Sequence, residues 1–235
     1  MNSRQQREEA KTAQSMLAAE LKRRLEQNIG NLPPWNWRVD DVFVLFNESG
    51  SKAPLFWCFN SWVEPIALAR VLGPEQPLVA MHSLDKVMTG LREKQTYFLS
   101  IIDLYREGIL ERTGTDDFVL GGNCQGAGIM ETVAQDILAR TGVARPLILL
   151  EHTPRFAYPG ETRILFGEQS QQFNPFLRGE NPVPRWNAQF TSYEVQEIPG
   201  AHGKYFRSPG IDALARTVTD MVQRTQGVPS LVANS

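Results

Sequence analysis

A cysteine in a glycine-rich turn is the residue of this sequence best suited to covalent chemistry. Cys124 lies at the centre of Gly122-Asn123-Cys124-Gln125-Gly126, between an apolar run that ends at Leu120 and a helical pattern of apolar residues. Flanking glycines let a strand and a helix approach closely, and a helix N-terminus favours a thiolate. We therefore expect Cys124 to be a nucleophile on a strained strand-to-helix turn. Such turns also bind phosphate, and many buried cysteines only pack, so further residues must support the assignment.

A cysteine nucleophile needs a base, and two histidines follow Cys124 in the chain. His202 lies in a Gly-rich loop after the last predicted strand, where an imidazole can reach the turn. His152 directly follows Glu151, which cannot easily orient it. We favour His202 as the base. An imidazolium beside Cys124 would lower the thiol pKa below its usual value of about 8.5, and we expect a thiolate–imidazolium pair.

The acid that orients the histidine is predicted to be Glu151. It ends the predicted strand 146–150 at the sheet edge that also carries Cys124. The alternative is Glu168, after the next strand. Many hydrolases carry an Asp two positions beyond such a Glu, but this sequence has Ser170 there. The sequence therefore favours Glu151.

An oxyanion produced at Cys124 would need two backbone N–H donors. Gln125, the residue after the nucleophile, is expected to provide one, and the loop after the second strand the other, from Asn60 or Ser61. The Gln125 side chain either contacts the acyl group or is solvated. Four further residues are predicted to line the substrate site: His82, Trp62, His152 and Phe173.

Composition narrows the possible functions of the chain. Its 235 residues suffice for one domain, and the net charge of −2 gives no basic surface for nucleic acid. Two cysteines argue against a disulfide framework and for a reducing cytoplasm. The charged N-terminus is no signal peptide, and no apolar run is long enough for a membrane span. Without a Cys/His cluster we expect no metal, and we expect no resident cofactor.

Alternating strand and helix patterns predict an α/β protein with a mostly parallel, doubly wound sheet and helices on both faces, the α/β-hydrolase fold. The predicted domain spans 38–227, after an N-terminal helix or linker at 1–30 whose helix covers 3–27. Strands 42–46 and 54–59 are expected to form a hairpin at an antiparallel sheet edge. The tail after Gly227 is expected to fray. The remaining predicted strands are 77–81, 117–120, 146–150, 163–166 and 193–198, and the remaining helices are 64–72, 91–108, 128–141 and 211–224.

Several pieces in a fixed order resemble one group of α/β-hydrolases, the thioesterase domains of nonribosomal peptide and polyketide synthesis. These pieces are 54–60, 69–74, 77–80, 120–128, 149–151 and 199–202. The resemblance implies an acyl group received from the phosphopantetheine arm of an acyl or peptidyl carrier protein, with upstream synthase modules as further partners. It implies that the acid follows the strand after the Cys124 helix, which supports Glu151.

The sequence departs from that family in three ways. The nucleophile is Cys instead of Ser, and the acid is Glu instead of the commoner Asp. Family members carry a helical lid between the acid-bearing strand and the next strand, whereas 152–162 is too short for one. The lid is therefore expected to be absent or minimal. The site should be open or be covered by the N-terminal helix, by 169–187 or by a partner.

The favoured function is a cytoplasmic thioesterase with a Cys-His-Glu triad that hydrolyses carrier-bound acyl thioesters in natural-product biosynthesis. A cysteine acyl-enzyme is itself a thioester and stays activated, so acyl transfer or cyclisation is the alternative. A third possibility is a catalytically silent domain that binds a partner. Carboxylesterase, peptidase and dienelactone-hydrolase-like activities also stay open, although the last normally takes its acid after the later strand.

Overall fold

A computed structural model describes residues 3–114 and 116–227, and the predicted frayed tail lies outside these residues. Strands and helices alternate through most of the chain. The strands are β1 (Trp37–Asp40), β2 (Phe43–Phe46), β3 (Leu55–Phe59), β4 (Leu78–His82), β5 (Val119–Asn123), β6 (Leu147–Leu150), β7 (Thr162–Gly167) and β8 (Tyr193–Ile198). The helices are α1 (Ser3–Ile29), α2 (Val63–Leu72), α3 (Leu91–Thr113), α4 (Gln125–Thr141), α5 (Val183–Gln189) and α6 (Gly210–Gly227), with a 3-10 turn at Phe176–Arg178.

The eight strands of the described residues form one sheet in the order β1-β2-β4-β3-β5-β6-β7-β8. Strands β3 to β8 run parallel, and β1 and β2 form an antiparallel edge. The predicted hairpin between 42–46 and 54–59 is wrong. Strand β2 pairs with β1 and β4, whereas β3 pairs with β4 and β5 in the middle of the sheet. All five residues of β3 are buried, as is typical of an internal parallel strand.

Helices cover both faces of the sheet, as predicted. Helices α1, α3 and α4 pack on one face, and α2 and α6 on the other. The predicted apolar positions of α6 (Leu214, Val218, Met221 and Val222) are all buried. The N-terminal helix packs against α3 through Leu21 and Leu25. In the described residues no helix is long and apolar enough to cross a membrane.

Parallel pairing brings the carboxyl ends of six strands, β3 to β8, to one edge of the sheet. Loops that follow these ends carry the residues on which the chemistry depends. The loop after β6, residues 151–161, contains no helix, whereas the longer connection from β7 to β8 contains α5 and the 3-10 turn, neither of which was predicted. This edge of the sheet therefore positions the candidate site.

Candidate active site

Cys124 lies directly between β5 and α4, in a backbone conformation that L-residues rarely adopt. Its φ of 49° and ψ of −116° are those of a strained turn. A Cβ at Gly122 would approach the backbone of Gly126 to 2.6 Å, and a Cβ at Gly126 would come within 2.1 Å of the Cys58 carbonyl oxygen. Only glycine fits at both positions, so the two glycines allow the strand–helix contact that places Cys124 at the start of α4.

The structure brings Cys124 together with His202 and Glu151. The Cys124 Sγ lies 3.9 Å from Nδ1 of His202. The same Nδ1 lies 3.1 Å from Oε2 of Glu151, whose side chain is fully buried, whereas the imidazole is 42% exposed. A thiol, an imidazole and a buried carboxylate thus occupy one end of the site in the order that nucleophile activation requires.

One nitrogen of His202 faces both of its neighbours. Because Nδ1–H donates to Glu151, that nitrogen cannot accept a proton from Cys124 at the same time. A relay in which Glu151 holds Nδ1 needs Nε2 to face the sulfur, which requires rotation of the ring. Gly200 and Gly203, both with positive φ, flank His202 and give this loop the backbone freedom of glycine.

Glu151 has two further hydrogen-bond partners. Its Oε1 accepts the N–H of Gly167 at 2.8 Å, and its Oε2 accepts the hydroxyl of Ser170 at 2.5 Å. The alternative acid, Glu168, is exposed, whereas Ser170, at the position where an Asp was considered, lies against the Glu151 carboxylate. Positions 151 and 170, at which the sequence suggested an acid, therefore lie side by side in the structure. Glu151 is the residue in contact with His202.

Two aromatic residues enclose the histidine and its acid. Phe173 stacks on the His202 ring at a centroid distance of 4.2 Å. Tyr205 is buried with Glu151 and Ser170 as polar neighbours, and burial followed by the nearby negative charge raises the pKa of its phenol well above the usual range. Tyr205 therefore stays protonated and uncharged beside Glu151.

The predicted oxyanion donors are engaged by a carboxylate. Glu64, in the first turn of α2, accepts the N–H of Asn60 at 3.0 Å and of Ser61 at 3.2 Å through Oε2. The same oxygen accepts the Asn123 side-chain amide at 3.3 Å. Gln125 begins α4, so its N–H has no partner within the helix, and its side-chain Oε1 is buried without a hydrogen bond.

The protonation state of Cys124 differs from the prediction. Burial, followed by the negative charges of Glu151, Glu64 and Asp85, raises the pKa of the Cys124 thiol to about 12. A preformed thiolate–imidazolium pair was therefore wrong for this arrangement. Cys124 rests as a neutral thiol that needs a base, as a serine would.

A cavity of about 280 Å³ contains the thiol. Its lining carries two carboxylates and neither lysine nor arginine. The lining residues are Asn60, Glu64, Asp85, Asn123, Cys124, Gln125, His202, Gly203, Tyr205 and Phe206. Among the described residues no group of three or more His, Cys, Asp or Glu side chains could hold a metal ion.

Three residues predicted to line the substrate site do not line this cavity. His82 is buried, with its Nδ1 at the Ser83 carbonyl, and burial lowers its pKa. Trp62 packs on His82 and donates its indole N–H to Asn28. His152 pairs with Glu131 at 2.8 Å. Phe173, the fourth, reaches the site only through its stacking on His202.

The sequence reasoning missed several residues of the site, Glu64 foremost. Its signal was present, because Ser61-x-x-Glu64 matches the sequence pattern of a capping box, in which a glutamate reaches back to an N–H at the start of a helix. Asn123 holds the loop from the other side. It accepts the Trp57 indole N–H on its side-chain oxygen and the Asn60 side-chain amide on its carbonyl. Nothing in the local pattern identified Asp85, Tyr205 or Phe206.

No model of a known protein family matches the sequence, and no curated protein sequence matches it. Solved structures do resemble it. The NocB thioesterase domain from the nocardicin cluster is 15% identical over 79% of this chain and 99% of its own, with a TM-score of 0.57. YbtT, a type II thioesterase from the yersiniabactin NRPS/PKS pathway, is 12% identical over 75% of this chain and 95% of its own, with a TM-score of 0.56. RedJ, a thioesterase from the prodiginine pathway in Streptomyces coelicolor, is 16% identical over 74% of this chain and 92% of its own, with a TM-score of 0.54.

Proposed function

We propose that the chain, which shares the α/β-hydrolase fold of these thioesterases, is a thioesterase-like enzyme. It takes an acyl group from a carrier-protein thioester onto Cys124 and releases it by hydrolysis. The observation that carries the proposal is the cluster of Cys124, His202 and buried Glu151 at one cavity. The structural neighbours are thioesterases of biosynthetic pathways, which supports this substrate class.

The proposed reaction begins with a neutral thiol. His202 takes the Sγ proton on its Nε2 after the ring has turned, while Nδ1–H stays on Glu151. Sγ attacks the thioester carbonyl carbon, and the tetrahedral intermediate expels the pantetheine sulfur, which takes the proton from the imidazolium. Water, deprotonated by His202, then attacks the Cys124 thioester and releases the acid.

A second outcome, transfer or cyclisation, follows from the openness of the site. The His202 imidazole is 42% exposed, and the loop 151–161 has no helix to cover it. The Cys124 acyl-enzyme is a thioester like the incoming substrate, so the acyl group keeps its activation. An amine, a thiol or a carbon nucleophile could then accept it in place of water.

The proposed partner is an acyl or peptidyl carrier protein that supplies the phosphopantetheine arm. The chain itself would need no cofactor, because the only groups in the mechanism are the thiol, the imidazole and the carboxylate. The location that goes with this role is the cytoplasm, where both cysteines stay reduced. Cys58 and Cys124 are free thiols in the structure.

Intact-protein mass spectrometry tests the proposal. The protein is incubated with acyl-loaded carrier protein and with acyl-pantetheine, and the adduct is mapped by peptide analysis. We expect one acyl adduct on Cys124, with free acid released on turnover. The matched control is Cys58→Ala, which removes the other cysteine, a fully buried residue, and should leave the adduct.

The variant Cys124→Ala should lose both the adduct and the released acid. Cys124→Ser should form a more slowly hydrolysed oxygen ester. Persistent hydrolysis in folded Cys124→Ala would contradict the mechanism. An acylated enzyme that yields amide or lactone with an added acceptor, and little acid, would favour transfer over hydrolysis.

A further inference from the structure

Glu64 occupies the donors that the proposed reaction would use. Its Oε2 accepts the N–H groups of Asn60 and Ser61 at 3.0 and 3.2 Å, and Glu64 lines the cavity that contains Cys124. The loop that bears these donors is fixed, because the Asn60 side chain bonds to the Asn123 carbonyl at 2.8 Å and to the Ser83 hydroxyl at 2.7 Å. The donors are thus held in place with a carboxylate oxygen on them.

A backbone N–H has one proton, and a good hydrogen bond to an oxyanion requires that proton to point at it. An oxyanion on the donors of Asn60 and Ser61 would also lie close to the Glu64 carboxylate. Two negative oxygens at contact distance repel each other. The carboxylate and the reaction intermediate therefore compete for the same two donors.

Helix capping does not explain this contact. In a capping box the glutamate bonds the N–H of the cap residue three positions before it, whereas the cap residue of α2 is Trp62 and Glu64 bonds the N–H of Ser61. Glu64 also takes the N–H of Asn60 and the Asn123 side chain, and no lysine or arginine lies within ion-pair distance of it among the described residues. One oxygen of Glu64, Oε2, therefore accepts from three donors at once.

From this geometry we infer that Glu64 closes the oxyanion hole and must release the N–H groups of Asn60 and Ser61 before Cys124 accepts an acyl group. The inference rests on the proposed function, since it concerns the acylation step. Glu64 thereby sets how readily the site reacts, and a substrate or partner that displaces its carboxylate would open the hole.

Two reactions of the same thiol separate this role from others. Acylation by acyl-pantetheine passes through an oxyanion, whereas alkylation by iodoacetamide does not. The ratio of the two rate constants therefore reports on the oxyanion hole and cancels changes in thiol reactivity. In Glu64→Gln we expect the ratio to rise at least about tenfold, because one hole donor contributes roughly 10²- to 10³-fold and a neutral amide competes less well.

Asp85→Asn is the matched control. It removes the other negative charge from the cavity lining, and Asp85 makes no contact with either N–H group. Its ratio should stay within about twofold of the wild-type ratio. This change is small compared with the roughly 10²- to 10³-fold effect of one oxyanion-hole donor. Glu64→Gln should fold, because Gln keeps the size of the side chain and its amide oxygen can still accept a hydrogen bond from one of these N–H groups. Glu64→Asp is the second variant, since its shorter carboxylate cannot reach both donors, and its ratio should rise as well.

An unchanged or lowered ratio in both Glu64 variants would overturn the inference while leaving wild-type acylation, and the proposed function, in place. An equal rise in Asp85→Asn would also overturn it, because charge alone would then explain the effect. If neither wild type nor Glu64→Gln is acylated although both are alkylated, the proposed function fails and the inference fails with it.

Discussion

Glu151 and Glu64 are both carboxylates near Cys124, and each accepts three hydrogen bonds. Glu151 is fully buried and accepts from Gly167, Ser170 and the His202 imidazole. Glu64 is half-buried and accepts from two backbone N–H groups and an asparagine amide. Only Glu151 has a partner that can take up positive charge.

Because of that difference, the two carboxylates should have opposite effects on the proposed reaction. In the proposed reaction His202 takes a proton and Glu151 stabilises the imidazolium, so the charge of Glu151 would help the step that forms it. Glu64 faces the place where negative charge would develop, so its charge opposes the same step. The effect of a hydrogen-bonded carboxylate on the reaction therefore depends on its partner and not on how deeply the carboxylate is buried.

The largest effect should come from Glu151→Gln. The amide keeps the shape but no longer stabilises an imidazolium, and it can hold the wrong tautomer of His202. We expect acylation of Cys124 to fall roughly 10²- to 10⁴-fold, as for other losses of acid–base assistance. Stopped-flow acylation with acyl-pantetheine measures this. A loss below tenfold in a variant with unchanged circular dichroism would remove Glu151 from the mechanism.

A pH titration of the acylation-to-alkylation ratio compares the two carboxylates in the unmodified protein. Burial raises the pKa of Glu64 above 4.5, although the N–H groups of Asn60 and Ser61 oppose the rise. Protonated Glu64 is a weaker acceptor, so the ratio should increase as pH falls through this pKa, by about tenfold. Glu64→Gln should give a flat profile.

The other charged or titratable groups near Glu64 do not give such a profile. They are Lys86, Asp85, Cys58 and Cys124. Burial raises the pKa of both thiols, and alkylation of the same sulfur normalises the titration of Cys124. A ratio that falls with decreasing pH would contradict the competition between Glu64 and the oxyanion. A slope that persists in Glu64→Gln would assign it to another group.

Ser170→Ala should have a smaller effect on the same side of the site. It removes one hydrogen bond from a buried carboxylate that keeps the Gly167 N–H and the imidazole. A hydrogen bond to a charged group contributes about 1.5–3 kcal/mol, of which part is recovered by the remaining partners, so we expect acylation to fall about threefold to tenfold. Ser170→Thr keeps a hydroxyl and should recover most of the rate. Equal losses in both variants would indicate a packing effect instead.

The sequence predicted that Glu151 lies at the sheet edge that carries Cys124, because parallel strands end at a common edge, which is a property of topology that alternating elements reveal. It did not identify the strand pairing of β3, because a run of buried apolar residues shows that a strand is internal and not which strands lie beside it. Helix α5 was also missed, since seven residues with a proline at the start give little periodicity.

The sign of the Cys124 pKa shift shows a second limit. The helix N-terminus that favours a thiolate is local and visible in the sequence. The carboxylates that disfavour it come from three separate parts of the chain: Glu64 from α2, Asp85 from the loop after β4 and Glu151 from the loop after β6. The sequence around Glu64 matches a helix-capping pattern. Its hydrogen bonds to the N–H groups of Asn60 and Ser61, however, depend on the conformation of the loop after β3.

Glu131 is, like Glu151, a buried carboxylate, and it should affect stability alone. It accepts the N–H groups of Arg155 and Phe156 and pairs with His152 at 2.8 Å, which ties the loop 151–161 to α4. Burial opposes ionisation, but these partners outweigh it and lower the Glu131 pKa below 4.5. Because the folded-state pKa is lowered, this contribution is present above pH 4.5 and is lost as pH falls through the folded value.

Glu131→Gln should therefore cost about 1–3 kcal/mol of unfolding free energy near neutral pH, and less in acid. Urea unfolding at several pH values measures this, and a large loss of acylation in the folded variant would show that the loop also supports His202.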